Sequence, residues 1–473
     1  MDPYGQFDEN LMNAAEAFRN VDKKEVIRLI SHLDADGISA ASIMIKLLNS
    51  DNRKYSVSIV PQLNRAVLAQ FASESYNCFI FTDLGSGLLS EIQELLKGRK
   101  VFVLDHHTVE ESAKYEGIVF VNPHLFGIDG GKEISGAGVV FKFACAVDKA
   151  MEDIAHVAII GAMGDMQYQG GFLRLNQEIL DVAVRKNKIK VTKGLRIFGI
   201  QTKPLHKALE YCTDPYIPGV SGSESGAIQF LSQIGIDPKN GSGWKKIAQL
   251  DEHEMKKLIT GIIMKRLAES KPDDVLGDIY ILPHEQEESP TRDAKEFATL
   301  LNACGRLGRA SYGIGACLGD KKIKQQAIRS LADYKKEIVS ALNWYHENKF
   351  TDDVHWGNHF VIINAKDKVM STMIGTLASI LSKSNVMTNN LFILSMAQAI
   401  DGNTKISLRT TNNIEGKLDL RNIIGEIIEG IGNSEAGGHQ NAAGAVIPTD
   451  KENYFINAAK EVLGKYAMEE KIG

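Results

Sequence analysis

Residues Ile27–Ser39 read IRLISHLDADGIS, and the fold turns on how this stretch divides. A short apolar run (Val26, Ile27, Leu29 and Ile30 around Arg28) leads into His32, Asp34, Asp36 and then Gly37. Positions two apart in a strand project to one face. His32, Asp34 and Asp36 are therefore expected to leave the carboxyl end of a buried strand as three convergent side chains. Gly37 lets the backbone turn into a helix carrying Ile38, Ala41 and Ile45 on one stripe. Two carboxylates and an imidazole at the carboxyl edge of an α/β sheet lie where such sheets usually hold ligands. A capped turn with solvated aspartates is the competing interpretation of this segment taken alone.

Outward from it, the same pattern recurs. Expected strands are Tyr55–Val60, Asn77–Thr82, Lys100–Leu104 and Ile118–Asn122. The second of these ends at Asp83, the third at Asp105-His106-His107 and the fourth at Pro123-His124. A helix is expected over Glu9–Val21. Apolar helices over Gly136–Ala146 and Ile154–Gly161 flank a further pair, Gly164-Asp165. Strands alternating with helices at this interval predict a largely parallel sheet with right-handed crossovers. The middle of the chain holds a basic stretch, KNKIKVTKG from Lys186, then a Gly/Ser loop leading into a helix from Glu224 or Ser225. A helical pattern follows over Gly243–Ser270, with an acidic surface loop over His284–Asp293. A long polar helix is expected from Asp320 to Asn348, suited to connecting domains. Beyond it the strand–helix alternation restarts as a second α/β unit, with strands in HFVIINA, NLFILSMA and TKISLRT and a helix across Met373–Leu381.

The 473 residues suffice for two or three domains, and 44 % apolar with 24 % charged residues describes an ordinary globular composition. No apolar run reaches the ~18–20 residues of a membrane span, and the acidic start of the chain is unlike a signal peptide, so a cytoplasmic protein without a membrane partner is expected. Cys78, Cys145, Cys212, Cys304 and Cys317 are scattered without CxxC spacing, which reads as free thiols. A net charge of −5 argues against a wholesale polyanion binder while permitting a local basic groove.

Collected together, the strand-end groups are His32, Asp34, Asp36, Asp83, His106, His107 and Asp165. Carboxylates and imidazoles without cysteine suit Mn²⁺ or Mg²⁺ better than a structural zinc. Seven such groups are too many for one ion and suit two ions roughly 3.5–4 Å apart. Clustered aspartates without cations would repel one another and desolvate at heavy cost. Elsewhere, Arg306 and Arg309 flank glycines in Asn302-Ala303-Cys304-Gly305-Arg306-Leu307-Gly308-Arg309, a pattern that suits phosphate; a solvated loop is the alternative. Gly437-Gly438-His439 and Arg409 are further candidates for phosphate contact.

The ordered set His32-x-Asp34-x-Asp36-Gly37, Asp83, Asp105-His106-His107 and Gly164-Asp165 resembles the four motifs of the DHH phosphoesterase superfamily. Ser407-Leu408-Arg409 with Gly437-Gly438-His439-x-x-Ala442-Ala443-Gly444 resembles that superfamily's DHHA1 domain. Leu301–Leu307 resembles the NAxGR loop of RecJ-type exonucleases, as does the long helix after it, and the PGVSGSE segment resembles archaeal RecJ-like nucleases that associate with the GINS replication complex. The chain's end about thirty residues beyond His439 is expected to leave no room for the OB-fold of bacterial RecJ.

The resemblance implies an α/β fold in which a parallel-sheet DHH domain is joined by a long connector helix to a smaller α/β DHHA1 domain, with the active site in the cleft between them. The expected divisions are a DHH core over 1–185, a helical insertion over 186–300, the NAxGR loop and connector helix over 301–348, and a DHHA1 substrate-binding domain over 349–473. It further implies that His32, Asp34 and Asp83 hold one Mn²⁺, and that Asp36, Asp83, His106 and Asp165 hold a second, with Asp83 bridging and Mg²⁺ as substitute. His107, with Asp105, becomes the catalytic pair beside the scissile phosphate. Arg306, Arg309, Arg409, Gly437, Gly438 and His439 become substrate contacts. The implied activity is a single-strand-specific exonuclease releasing mononucleotides, 5′→3′ on DNA, in replication or repair, with single-stranded DNA or RNA and the GINS complex as partners. Alternatives are an oligoribonuclease or 3′→5′ RNA exonuclease, a cyclic-dinucleotide phosphodiesterase, or a non-enzymatic replication scaffold.

Overall fold

The computed structural model describes residues 2–109, 115–212, 215–241, 243–269, 271–383, 391–411, 418–432 and 434–472. Five strands, β1 (Ile27–His32), β2 (Tyr55–Val60), β3 (Cys78–Thr82), β4 (Lys100–Leu104) and β5 (Ile118–Val121), form one sheet in the order β2-β1-β3-β4-β5. Every neighbouring pair is parallel. The chain leaves β1 for β2 on one side and returns to β3 on the other, so the β1/β3 boundary is the switch point where such sheets open a crevice. In register, Ser31 lies beside Thr82, and Thr82 beside Leu104. The residues next in line, His32, Asp83 and Asp105, therefore leave the sheet at one level.

Helix α1 (Pro3–Arg19) is set by Asp2, whose side chain accepts from the Gly5 N–H at 2.6 Å, with Pro3 at the first helical position. It starts well before the expected Glu9, because the capping residues rather than the apolar spacing define its end. Helix α2 (Ala35–Ser50) is buried over nearly its whole circumference. It packs against helices Gly136–Val147 and Ala155–Gly164, and together these elements make the main core. That explains its almost continuous small and apolar residues. Arg28, buried in β1, is satisfied by Glu74 at 2.6 Å and Ser58 at 2.7 Å, with Phe71 beneath its guanidinium.

The middle segment departs from expectation in three places. KNKIKVTKG enters a strand, Lys190–Leu195, paired antiparallel with Leu276–Ile281. Within Gly243–Ser270 the helix occupies only Glu252–Lys265, where Asp251 and Glu254 form a reciprocal cap, while Lys239–Asn240 and Gly243–Trp244 form a small hairpin upstream. In the expected acidic loop, Thr291 and Asp293 are buried, and Asp293 caps the helix Ala294–Arg306. The chain that runs from one of these paired strands to the other gathers a separate apolar core around Leu209, Phe230, Leu231, Leu258 and Ile262.

The chain divides into two units, Met1–Leu331 and Ala332–Gly473, and the 28-residue helix Lys321–Asn348 crosses the division. The second unit has a six-stranded mixed sheet. Its order is Val354–Trp356, Phe360–Asn364, Phe392–Gln398, Asn403–Thr410, Ala442–Pro448 and Glu435–His439. Its core gathers Leu394, Ile406, Leu408, Ile424 and Phe455. Among the described residues, no helix is long and apolar enough to cross a membrane.

Candidate metal centre

The ends of β1, β3 and β4 bring the predicted acids and imidazoles together. Three overlapping donor groups have ligand atoms mutually within 4.8 Å: His32, Asp34 and Asp83; Asp36, His106 and Asp165; and Asp83, Asp105, His106 and His107. Asp83 joins them, its Oδ2 lying 3.9 Å from His32 Nδ1 and its Oδ1 3.3 Å from His106 Nε2. His106 Nε2 is also 3.3 Å from Asp165 Oδ2 and 3.7 Å from Asp36 Oδ2. The groups differ in depth. Asp36, Asp83 and His106 are at most 1 % exposed in their side chains, whereas His32 and Asp34 are about 30 % exposed, so the site is buried at its centre and reaches solvent at His32 and Asp34.

Local chemistry fixes each ligand. Asp34 caps α2, accepting from the Gly37 N–H at 2.9 Å, while its other oxygen meets His32 Nδ1 at 2.9 Å. Asp36 accepts from the N–H groups of Gly136 at 2.6 Å and Ala137 at 3.0 Å, so a helix N-terminus holds that carboxylate. The Gly130 carbonyl accepts from His106 Nδ1 at 2.7 Å. That places the proton on Nδ1 of the neutral ring and turns the Nε2 lone pair toward three carboxylates. Asp105 accepts from the N–H groups of Ser86 and His106 and from His107 Nδ1 at 2.7 Å. Asp105 thus orients His107, and it also shares a donor cluster with Asp83, His106 and His107.

The electrostatics of this arrangement require positive charge. Burial first, then the carboxylates of Asp36 and Asp34, push the Asp83 carboxyl well above its usual range. Burial, then Asp36, does the same to Asp165. Burial opposes charge on His106, yet Asp83, Asp165 and Asp36 outweigh it and push the imidazole well up. Asp34 goes the other way: burial disfavours its charge, but His32 and the Gly37 N–H hold it below the usual range. Protons thus gather where cations would otherwise neutralise the site. His106 Nε2 and Asp83 Oδ1 are both buried without a hydrogen-bond partner. Glycines keep the space open. A Cβ on Gly136 would lie 2.4 Å from Asp83 Oδ1, and one on Gly161 would lie 2.3 Å from Asp36 Oδ1. Orphaned donor atoms, a glycine-lined cradle and an oxygen/imidazole donor set fit divalent cations of the Mn²⁺/Mg²⁺ kind.

Several contributors went unseen in the sequence. Gly130, Gly136 and Gly161 act through what they lack. Asn122 donates to Ser86 Oγ and to the His107 carbonyl, both at 2.9 Å. The NAxGR segment is not a loop: Asn302–Arg306 is the last turns of a helix. There Asn302 Oδ1 accepts from the Ala35 N–H at 3.0 Å, and Gly305 packs on the Leu33 carbonyl so closely that a Cβ would lie 1.6 Å from its oxygen. The motif pins the Leu33–Ala35 segment, and its quoted asparagine was the available signal.

The remaining candidates are distributed over both units. Arg306 ends its helix in the first unit, and Arg309 donates to Ser330 Oγ at 3.2 Å. In the second unit, Arg409 donates to Ser379 Oγ at 3.1 Å and to the Leu408 carbonyl at 2.8 Å. Gly437 and Gly438 lie in the strand Glu435–His439, Gly438 at φ 130°. His439 ends that strand; its side chain lies outside the described residues.

Three family models match the chain: the DHH family N-terminal domain over residues 26–164, the DHH-CID domain over 197–279 and the DHHA1 domain over 358–465. The uncharacterised protein MJ0831 of Methanocaldococcus jannaschii is 33 % identical over 447 residues, covering 93 % of each chain. A putative SPbeta prophage-derived single-strand DNA-specific exonuclease, YorK, of Bacillus subtilis is 25 % identical over 165 residues, 33 % of this chain and 28 % of that protein. Among solved structures, RecJ in complex with Mn²⁺ from Thermus thermophilus superposes with a TM-score of 0.58 at 17 % identity, covering 97 % of this chain and 55 % of that one. CDC45 from Entamoeba histolytica superposes at 0.63 with 11 % identity, covering 98 % and 99 %. At these identities the two structures share the fold.

Proposed function

Because this chain belongs to the DHH phosphoesterase superfamily, RecJ-like and built of DHH, DHH-CID and DHHA1 domains, we propose that it is a two-metal exonuclease of single-stranded nucleic acid. It releases mononucleotides, acts 5′→3′ on DNA in the cytoplasm, and serves replication or repair. The observation that carries this reading is the buried pair His106 Nε2 and Asp83 Oδ1, both without hydrogen bonds amid Asp36 and Asp165.

His32, Asp34 and Asp83 would hold one cation, and Asp36, Asp83, His106 and Asp165 the other. When bound, two such cations lower the pKa of water and neutralise charge on a phosphoryl oxygen, with Mn²⁺ preferred over Mg²⁺. The chain does the rest. Gly130 keeps His106 in the tautomer that presents Nε2 to the cluster. Asp105 accepts from His107 Nδ1–H and so orients the ring; when the imidazole carries protons on both nitrogens, its Nε2–H is the one that passes to the departing oxygen, leaving the neutral ring with its proton on Nδ1. Arg306, Arg309 and Arg409 supply planar donor forks for phosphate, Gly437 and Gly438 let a backbone come close, and His439 is a further phosphate contact. A replication-complex partner such as GINS is part of the same reading.

A scaffold without catalysis is the second reading, favoured by the CDC45 likeness in fold; the complete ligand set weighs against it. End-labelled single-stranded DNA, single-stranded RNA and duplex, digested with Mn²⁺ or Mg²⁺ and resolved by length, test the proposal. Mononucleotides are expected from the 5′ end of single-stranded DNA, falling to background with Asp83→Ala. Near-normal release by that variant, or none from the wild type with any cation, overturns it.

A further inference from the structure

The basic stretch from Lys186 runs into the antiparallel pair Lys190–Leu195 and Leu276–Ile281, and a cavity of about 230 Å³ opens beside that pair. It is lined by Tyr168 and Gly170, from the segment that follows Asp165, and by Lys193, Arg196, Asp278 and Lys295. Two carboxylates there are already engaged. Asp278 pairs with Lys193 at 2.7 Å, and Asp293 accepts the N–H groups of Lys295 and Glu296 at 2.9 and 3.0 Å. Arg196 differs: its Nε is buried and has no hydrogen-bond partner among the described residues. Leaving such a donor unmade costs about 1–3 kcal/mol. The fold makes room for this side chain all the same. A Cβ on Gly277 would lie 2.4 Å from Arg196 Cδ, so the glycine clears the path of the arginine stem. Lys295 Nζ stands 5.2 Å from the centre of the Tyr168 ring, beside the same cavity.

An arginine Nε without an acceptor, an ammonium and an aromatic ring form a combination that suits a phosphate with its attached nucleotide. Tyr168 is three residues from the metal-ligand candidate Asp165. We propose that this cavity is a phosphodiester subsite, in which Arg196 and Lys295 bind a backbone phosphate of the substrate strand on the insertion side of the metal centre. The assignment rests on the nuclease reading and adds to it a role for the segment after Lys186.

The test is binding of a fluorescent oligothymidylate to the full chain in EDTA, followed by anisotropy across a salt series. Arg196→Gln is expected to weaken binding at least about tenfold, the scale of one charge-assisted hydrogen bond, and to reduce the salt slope by about 0.7. Lys295→Gln is expected to act in the same direction. Gly277→Ala, which keeps the charge but pushes the arginine stem aside, is expected to match Arg196→Gln. Wild-type affinity and slope in folded Arg196→Gln and Lys295→Gln overturn the subsite. The two readings separate cleanly. Arg196-dependent binding by a wild type that cleaves nothing keeps the subsite and removes the nuclease. Cleavage with binding indifferent to Arg196 does the reverse.

Discussion

Asp83 stands in the left-handed region at φ 58°, where a non-glycine residue costs on the order of 1 kcal/mol or more. Its N–H donates to the Leu104 carbonyl at 3.0 Å, which holds the turn while the carboxylate lies between His32 and His106. Asp105 is the contrasting acid one strand away. Its oxygens are taken up by backbone N–H groups and His107, and burial is outweighed by the two imidazoles, which keep the carboxylate low. On the proposed function Asp105 acts as a positioning residue for His107. Asp105→Asn is expected to lower kcat by roughly 100-fold or more, the scale of a misplaced general acid, with bound metal unchanged by elemental analysis. Lost metal in that variant would make Asp105 a ligand instead.

Among the elements, the central strands and two helix starts share the work. Level ends on β1, β3 and β4 deliver His32, Asp83 and Asp105 together, and α2 is capped by one ligand candidate, Asp34. Helix Ala294–Arg306 then clamps the turn between β1 and α2 through Asn302 and Gly305. Gly305→Ala pushes a methyl into the Leu33 carbonyl, an overpacking that typically costs about 1–3 kcal/mol. Its denaturation midpoint is expected to fall accordingly, and Mn²⁺ affinity with it, since the displaced segment carries Asp34. An unshifted midpoint would mean that the helix end yields instead of the turn.

For the whole molecule, every metal-ligand candidate lies within the unit Met1–Leu331. Binding to the native state alone stabilises by about 2.7 kcal/mol at a hundredfold excess over Kd. In differential scanning calorimetry, Mn²⁺ is therefore expected to raise the melting of the first unit by several degrees. EDTA reverses the shift, and any separate transition of Ala332–Gly473 stays in place. A shift confined to the second unit would relocate the metal centre.

The sequence on its own carried the strand–helix alternation, the identity of the polar groups at the strand ends and the second α/β unit. Those features are written in local spacing, because a strand of period two followed by glycine and a helical stripe needs no distant partner to be recognised. Legible for the same reason were His32, Asp34, Asp36, Asp83, His106, His107 and Asp165 as a set. Tertiary structure alone decided the rest. The bend of Gly243–Ser270 into hairpin and helix depended on caps and cross-strand pairing. The helical state of Asn302–Arg306 depended on burial against Leu33 and Ala35. Which donors share a cluster depended on strand order and register, and the role of Gly136 and Gly161 depended on carboxylates distant in sequence. A Cβ that is absent becomes meaningful only once something else fills its place.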